Sequence, residues 1–243
     1  MSHLPKLNIW FEGSRPKTIP AAIVPVIVGT ASVETGLILH RFVLALVVSI
    51  ALQVGVNYAN DYSDGIRGTD QNRIGPRRLV GSGLINANQV KLAAGISFLL
   101  AAIAGLVLAI MTSLWLILIG CIAILAAWFY TGGSRPYGYS GYGEVSVFIF
   151  FGLVATVGSS YVQSQTIETI SMLCSVPVGL LASALLVVNN FRDIETDSET
   201  GKQTFAVRLG KAKTKMFFAL LLLASLGMYV LICLLYTSDA ADE

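Results

Sequence analysis

The sequence predicts an all-α fold, a polytopic bundle of transmembrane helices, on three observations. Of 243 residues, 55% are hydrophobic and only 12% charged, which is about half the charged share of an ordinary soluble domain. The apolar residues gather into seven runs, each near the ~17–25 residues that cross a bilayer. The basic residues alternate with those runs. With the N-terminus placed in the cytoplasm, 15 of the 16 Lys and Arg fall on one face and only Arg41 falls opposite, a strong positive-inside pattern.

The runs lie near 18–36, 40–60, 88–110, 114–131, 144–163, 170–190 and 212–235. Pro20 and Pro25 fall in the first and Pro177 in the sixth; proline is tolerated in a span when neighbouring helices satisfy the freed carbonyls. Ala93-Ala94-Gly95, Ala101-Ala102 and Gly105 supply small surfaces that let helices approach closely. The connections 61–87, 132–143 and 191–211 are long and all lie on the basic face, whereas Met111-Thr112-Ser113 opposite is short. The predicted location is the cell's inner membrane, with the long loops cytoplasmic. No cleaved signal peptide is expected, because the Arg15-Pro16-Lys17 cluster precedes a long apolar run with no small-residue cleavage site.

Composition also excludes classes. A net charge of +2 is too small to suggest a nucleic-acid partner. Cys121, Cys174 and Cys233 have neither metal nor disulfide spacing and read as small core residues, and His3 and His40 are isolated. The segment Cys233–Glu243 looks like the translation of a sequencing-library adapter. Residues 1–232 are therefore expected to form one domain that is incomplete at its C-terminus, with 233–243 a non-native tail.

Two polar stretches close long apolar runs: Asn57-Tyr-Ala-Asn60-Asp61-Tyr62-Ser-Asp64, continuing to Gly68 and Asp70, and Asn189-Asn190-Phe-Arg192-Asp193-Ile-Glu195-Thr-Asp197. Asn60 and Asp64 are four apart, as are Asn189, Asp193 and Asp197, so each set shares a helix face. Polar groups at that depth are costly and tend to be functional. Two acidic faces brought together repel unless cations lie between them. Carboxylates and amide oxygens without His or Cys suit a hard cation such as Mg²⁺, which takes one or two carboxylates and completes its shell with water and phosphate. The pattern predicts metal held by Asn60, Asp61, Asp64, Asp70, Asp193 and Asp197, gripping a diphosphate. Arg15, Lys17, Arg77, Arg78, Arg135 and Lys202 are candidate phosphate partners. An ion cluster bordering an apolar bundle fits an isoprenyl diphosphate. Tyr58, Tyr62, Tyr130, Tyr137, Tyr139 and Tyr142 could offer ring faces to an allylic cation or form an interfacial aromatic belt.

Those stretches resemble the motif regions of the UbiA-type intramembrane prenyltransferases. The first is Asn60-Asp61-Tyr62-Ser-Asp64 with Gly68 and Asp70, then Gly75-Pro76-Arg77-Arg78-Leu79-Val80 and Ser82-Gly83. The second is Asn189-Asn190-Phe-Arg192-Asp193, then Asp197, Gly201-Lys202 and Thr204, with Ala206-Val207-Arg208-Leu209-Gly210. Arg15 to Ala22, and Tyr130-Thr131-Gly132-Gly133 leading to Gly143-Glu144, add support. Gly68, with Asp70 two residues on, is most similar to the 1,4-dihydroxy-2-naphthoate polyprenyltransferase branch. The resemblance implies a nine-helix bundle around a cavity and Mg²⁺-bound diphosphate between the motifs. Asp61, Asp64, Asp193 and Asp197 would be catalytic. Asn57, Asn60, Arg77, Arg78, Asn189, Lys202, Arg15, Lys17 and Tyr130 would bind substrate. Transfer of a polyprenyl chain from polyprenyl diphosphate to dihydroxynaphthoate would release CO₂ and give demethylmenaquinone. The alternatives are another aromatic acceptor in the same superfamily, or a secondary transporter with intramembrane acids; the latter places its polar residues near the midplane, not at span ends.

Overall fold

The computed structural model describes residues 6–34, 36–69 and 77–239, and all regular structure among them is helical. A short helix α1 (Lys6–Gly13) and a 3₁₀ turn (Pro16–Thr18) lead into α2 (Ile19–Ala31). Then come α3 (Leu39–Arg67), α4 (Ala87–Met111) and α5 (Trp115–Phe129). A 3₁₀ turn (Tyr137–Ser140) precedes α6 (Gly143–Ser164), whose middle, Phe148–Val157, is π-helical. After α7 (Thr169–Arg192) the short α8 (Ile194–Glu199) leads to α9 (Phe205–Asp239), which breaks at Gly210.

All seven apolar runs are helical, and five helices (α3, α4, α6, α7 and α9) are long and apolar enough to cross a membrane. At 1.5 Å per residue, the 13 residues of α2 and 15 of α5 span only ~20 and ~23 Å. α2 is shortened by the 3₁₀ turn at Pro16 and by the turn after Ala31, and α5 by the turn in which the Gly132 N–H bonds the Trp128 carbonyl at 3.0 Å. The first polar loop also starts later than expected. α3 runs on to Arg67, so Asp61 and Asp64, expected in the 61–87 connection, are helical residues like Asn60. Gly68 stops the helix at φ 72, a left-handed cap that favours glycine and gives Gly68 a structural reason.

The bundle is closed by small residues. α2 wedges between α3, α6 and α7. At Gly29 a Cβ would stand 2.0 Å from the Thr156 carbonyl oxygen, and at Gly152 one would stand 2.7 Å from the Gly179 Cα. With no hydrophobic drive between helices in lipid, such close approach is how helices associate. α9 lies along α7, and the Ser225 hydroxyl donates to the Pro177 carbonyl at 3.3 Å. Leu220, Leu223 and Leu226 on α9 face outward, as a lipid-facing surface requires. At the end of the bundle away from the acidic stretches, Arg41 donates to the Val162 and Gln163 carbonyls at the end of α6, at 2.9 and 3.2 Å. The one basic residue that breaks the sidedness pattern is thus a helix C-terminal cap.

Replacing Gly29 with Val is expected to destabilise the bundle by about 1–3 kcal/mol through overpacking. Gly95→Ala, where a Cβ meets nothing within 4 Å, is expected to be neutral. Thermal melting in detergent checks both.

Candidate functional site

The polar site begins with the last turns of α3, where Asn57, Asn60, Asp61 and Asp64 are all buried. Each has a distinct partner. The Asn57 amide donates to the Ser14 carbonyl at 2.8 Å and the Thr18 hydroxyl at 3.0 Å, and Arg15 reaches back to the Asn57 carbonyl at 3.4 Å. Asn57 and Arg15 therefore tie the N-terminal segment to α3. Asn60 accepts from the Thr131 hydroxyl at 2.7 Å, joining the end of α5. Asp61 is 1% exposed, and its two oxygens accept the Leu79 and Val80 N–H groups at 2.8 and 3.0 Å. It thus holds the return loop down on α3. One oxygen of Asp64 accepts the Tyr139 hydroxyl; the other lies 3.2 Å from Lys202 Nζ and 3.8 Å from Arg78 Nη2.

The second stretch ends α7. Asp193 is the junction of α7 and α8, and its N–H and that of Asp197 continue the i to i−4 hydrogen bonding across it, so the three residues spaced four apart stay close to one face. The Arg192 guanidinium grips both Asp193 oxygens, at 2.8 and 2.9 Å. The turn at Gly201 (φ 77) then folds Lys202 back. Its N–H bonds the Asp197 carbonyl at 2.8 Å, and its Nζ sits 3.8 Å from an Asp197 oxygen. Lys202 Nζ is thus shared by both stretches; at 3.2 and 3.8 Å from its partners it keeps those Asp64 and Asp197 oxygens within about 7 Å of each other. The Lys202 Nζ and the Arg67 guanidinium both lie over the Tyr139 ring, 4.7 and 5.3 Å from its centre. Burial pushes the Tyr139 phenol up, and the Asp64 charge adds to it, so the hydroxyl stays protonated and donates to Asp64.

Beneath this cluster opens a cavity of about 1030 Å³. Arg15, Asn57, Asn60, Tyr130 and Asn189 line it on the polar side; Leu52, Val56, Leu108, Phe150 and Leu185 are among its apolar walls. Of the six tyrosines, Tyr130 and Tyr137 border the cavity. Tyr58 donates to the Trp10 carbonyl, Tyr62 stacks on Trp128, and Tyr142 is exposed. Lys17, Arg77 and Arg135 are exposed, and Asp70 lies outside the described residues. Sequence reasoning missed Thr131 as the partner of Asn60 and Arg192 as that of Asp193. It also missed Glu144, buried at the start of α6. The Tyr-rich run before Gly143 was the available signal, but it did not say which tyrosine meets an acid.

The donor set fits a hard divalent cation. It is all oxygen, and a positive charge, the Lys202 ammonium, already occupies the gap between Asp64 and Asp197. Among the described residues no group of three His, Cys, Asp or Glu converges on one point. Any ion there would take few protein carboxylates and finish its shell with water and phosphate, the habit of Mg²⁺.

Fold and site together define a polytopic membrane protein shaped for an amphiphile, with an ionic cluster for the head and an apolar bundle cavity for the tail. The UbiA prenyltransferase family model matches residues 22–240, and the chain belongs to that family. It is 48% identical over 237 residues to the 1,4-dihydroxy-2-naphthoate octaprenyltransferase of Mycobacterium leprae, covering 96% of this chain and 79% of that one. The Escherichia coli protein of the same name is 40% identical over 230 residues, covering 91% and 75%. The structure of a UbiA homolog from Archaeoglobus fulgidus, bound to GPP and Mg²⁺, superposes with a TM-score of 0.73 at 14% identity over 93% of this chain and 78% of that one, which shows the shared fold.

Asp61→Asn sets an amide N–H against a backbone N–H and leaves one buried donor unsatisfied. A loss of about 1–3 kcal/mol is expected, with faster proteolysis between 77 and 86; a native melting temperature would contradict this role.

Proposed function

We propose that this chain transfers a polyprenyl chain from polyprenyl diphosphate to 1,4-dihydroxy-2-naphthoate, with loss of the ring carboxylate as CO₂, to give the hydroquinone demethylmenaquinol, the reduced form of demethylmenaquinone. The observation that carries this reading is identity of 40–50% over nine-tenths of the chain with relatives bearing that activity in their names. The site geometry is consistent with it. The reaction needs a place where an anionic head and a long hydrocarbon tail are held at once, and the ionic cluster meets the apolar cavity at Asn57, Asn60 and Asn189.

In this reading the residues divide by task. Asp61, Asp64, Asp193 and Asp197 would hold Mg²⁺ with Asn60 beside them. When bound, Mg²⁺ would balance the negative charge that builds on diphosphate as its bond to the allylic carbon breaks. Lys202, Arg78 and Arg15 bind phosphate oxygens, and Lys202 can move between two partners: it holds the acids when no phosphate is present and turns to phosphate when one is. Tyr139 keeps the Asp64 carboxylate oriented through a proton that burial retains on the phenol. The cavity walls hold the prenyl chain and keep water from the allylic cation, which would otherwise be lost to hydrolysis. Tyr130 and Tyr137 border the space where the aromatic acceptor meets the allylic end. The motif side of the bundle faces the cytoplasm in this reading, as the distribution of basic residues requires.

Membranes containing the chain, incubated with labelled polyprenyl diphosphate and dihydroxynaphthoate, are expected to form labelled demethylmenaquinol, read as the quinone after oxidation in air, with Mg²⁺ and none with EDTA. Asp64→Asn and Asp193→Asn are expected to lower turnover by at least about 10²-fold, the scale of losing one electrostatic stabiliser, while membrane insertion is retained. Metal-independent turnover would count against the metal assignment, and native activity in either variant would remove that residue from the site.

A further inference from the structure

Gln53 lies on α3, is only 8% exposed, and has no task in the reading above. It stands four residues before Asn57, on the same helix face and one turn (~6 Å) further from the ionic cluster. Both residues border the cavity. The hydrogen bonds around Gln53 fix the direction of its amide. The Thr18 hydroxyl donates its single proton to the Arg15 carbonyl at 2.9 Å, so towards its other neighbours it can only accept. It accepts from the Asn57 amide at 3.0 Å and from Gln53 Nε2 at 2.9 Å. The second Nε2 proton is directed to Asn57 Oδ1 at 3.4 Å. Both amide protons of Gln53 are thus used, and its carbonyl oxygen, Oε1, is the end that remains. Among the described residues nothing donates to Oε1, and protein atoms do not seal it off, so it opens on the cavity.

A carbonyl held open in a largely apolar wall is costly unless a donor meets it. The protein supplies none close by: Ser49, one turn further down α3, already donates its hydroxyl to the Ala22 carbonyl at 2.8 Å. The sign of the group then selects its ligand. Diphosphate oxygens are anionic acceptors and are repelled by a carbonyl oxygen. The prenyl chain is hydrocarbon and has no donor. In the naphthoate reading only the aromatic acceptor brings O–H groups. Its 1-hydroxyl stands beside the ring carboxylate and bonds to it internally, which leaves the 4-hydroxyl as the free donor.

We propose that Gln53 Oε1 accepts the 4-hydroxyl of the dihydroxynaphthoate ring, and so selects and orients the aromatic acceptor. This assignment rests on the naphthoate reading. With its 4-hydroxyl on Gln53, the ring turns its carboxylate away from that carbonyl, which repels it, and towards the cationic cluster. The ring carbon that bears the carboxylate then faces the side of the cavity where the diphosphate and its allylic carbon are held, which is where the new bond must form. Thr18 and Asn57 hold the Gln53 amide in place for this contact and are positioning residues.

The test uses the full chain in membranes, with Mg²⁺, as native protein, Gln53→Met and Gln53→Ala. Met keeps the length of the side chain without the carbonyl, and Ala is the smaller second variant. Each is expected to raise KM for dihydroxynaphthoate about three- to tenfold, the worth of one neutral hydrogen bond, with KM for polyprenyl diphosphate unchanged. The analogue 1-hydroxy-2-naphthoate lacks the 4-hydroxyl. As a competitive inhibitor it is expected to bind native protein about three- to tenfold more weakly than dihydroxynaphthoate, because a site built to hydrogen-bond a hydroxyl rejects a ligand without it. In Q53M the two should bind within about twofold of each other, since neither then gains the bond. An unchanged KM for dihydroxynaphthoate in the variants overturns the proposal. So does a rise of both KM values together, which marks a purely structural amide. Equal binding of the two naphthoates by native protein overturns it as well, and that result stands even if neither variant inserts. Native membranes that form no demethylmenaquinol overturn the functional reading and this assignment with it, before any substitution is made.

Discussion

The structure depends on one shared charge. Two carboxylates from helices that are far apart in sequence, Asp64 and Asp197, are held within about 7 Å of each other by the Lys202 ammonium they share. At that separation or less their mutual repulsion is at least about 2 kcal/mol for an effective dielectric of ~20, so the arrangement needs a cation beside both. Around it the remaining polar groups fall into place. Tyr139 orients Asp64 and carries Lys202 and Arg67 on its ring, Arg192 neutralises Asp193, and Asp61 fixes the loop that delivers Arg78. Breaking one pair in such a buried cluster is costly, because it leaves the other charge uncompensated.

The apolar half of the molecule exists to set a cavity under that cluster. Helices α2 and α5 are too short to span alone, and α2 is bound by contacts such as Gly29 on Thr156. The π-helical middle of α6 contributes Phe150, Phe151, Leu153 and Val154 to the cavity wall. Wide-turn segments of this kind are frequent at functional sites, and here the segment lines the space a hydrocarbon tail would occupy. Asn57, Asn60 and Asn189 mark the boundary, polar enough to meet a charged head yet carrying no charge into the apolar region.

Much of this was legible in the chain. Helices and their order follow from hydropathy, and the four-residue spacing of Asn60 with Asp64, and of Asn189 with Asp193 and Asp197, survives as shared faces near the helix ends. Lys202 was recognisable as a phosphate partner, but not as the cation shared by Asp64 and Asp197. What stayed hidden depends on contacts with no local signature. Asp64 meets Tyr139 across 75 residues, and Asn60 meets Thr131 across 71. That Asp61 also accepts the Leu79 and Val80 N–H groups shows only once the loop is folded onto it. The persistence of α3 to Arg67 was hidden for a similar reason. Polar residues usually end a span, but here they stay helical because neighbouring segments satisfy their side chains.

Substituting Lys202 with Met and following thermal unfolding in EDTA and in millimolar Mg²⁺ tests the shared-cation claim most directly. Without metal, the variant removes the ammonium lying between Asp64 and Asp197 and is expected to lose about 3–5 kcal/mol. Mg²⁺ should restore at least half of the lost melting temperature by taking the vacated charge. A variant that melts like the native chain in EDTA, or one that Mg²⁺ does not stabilise, would contradict the account.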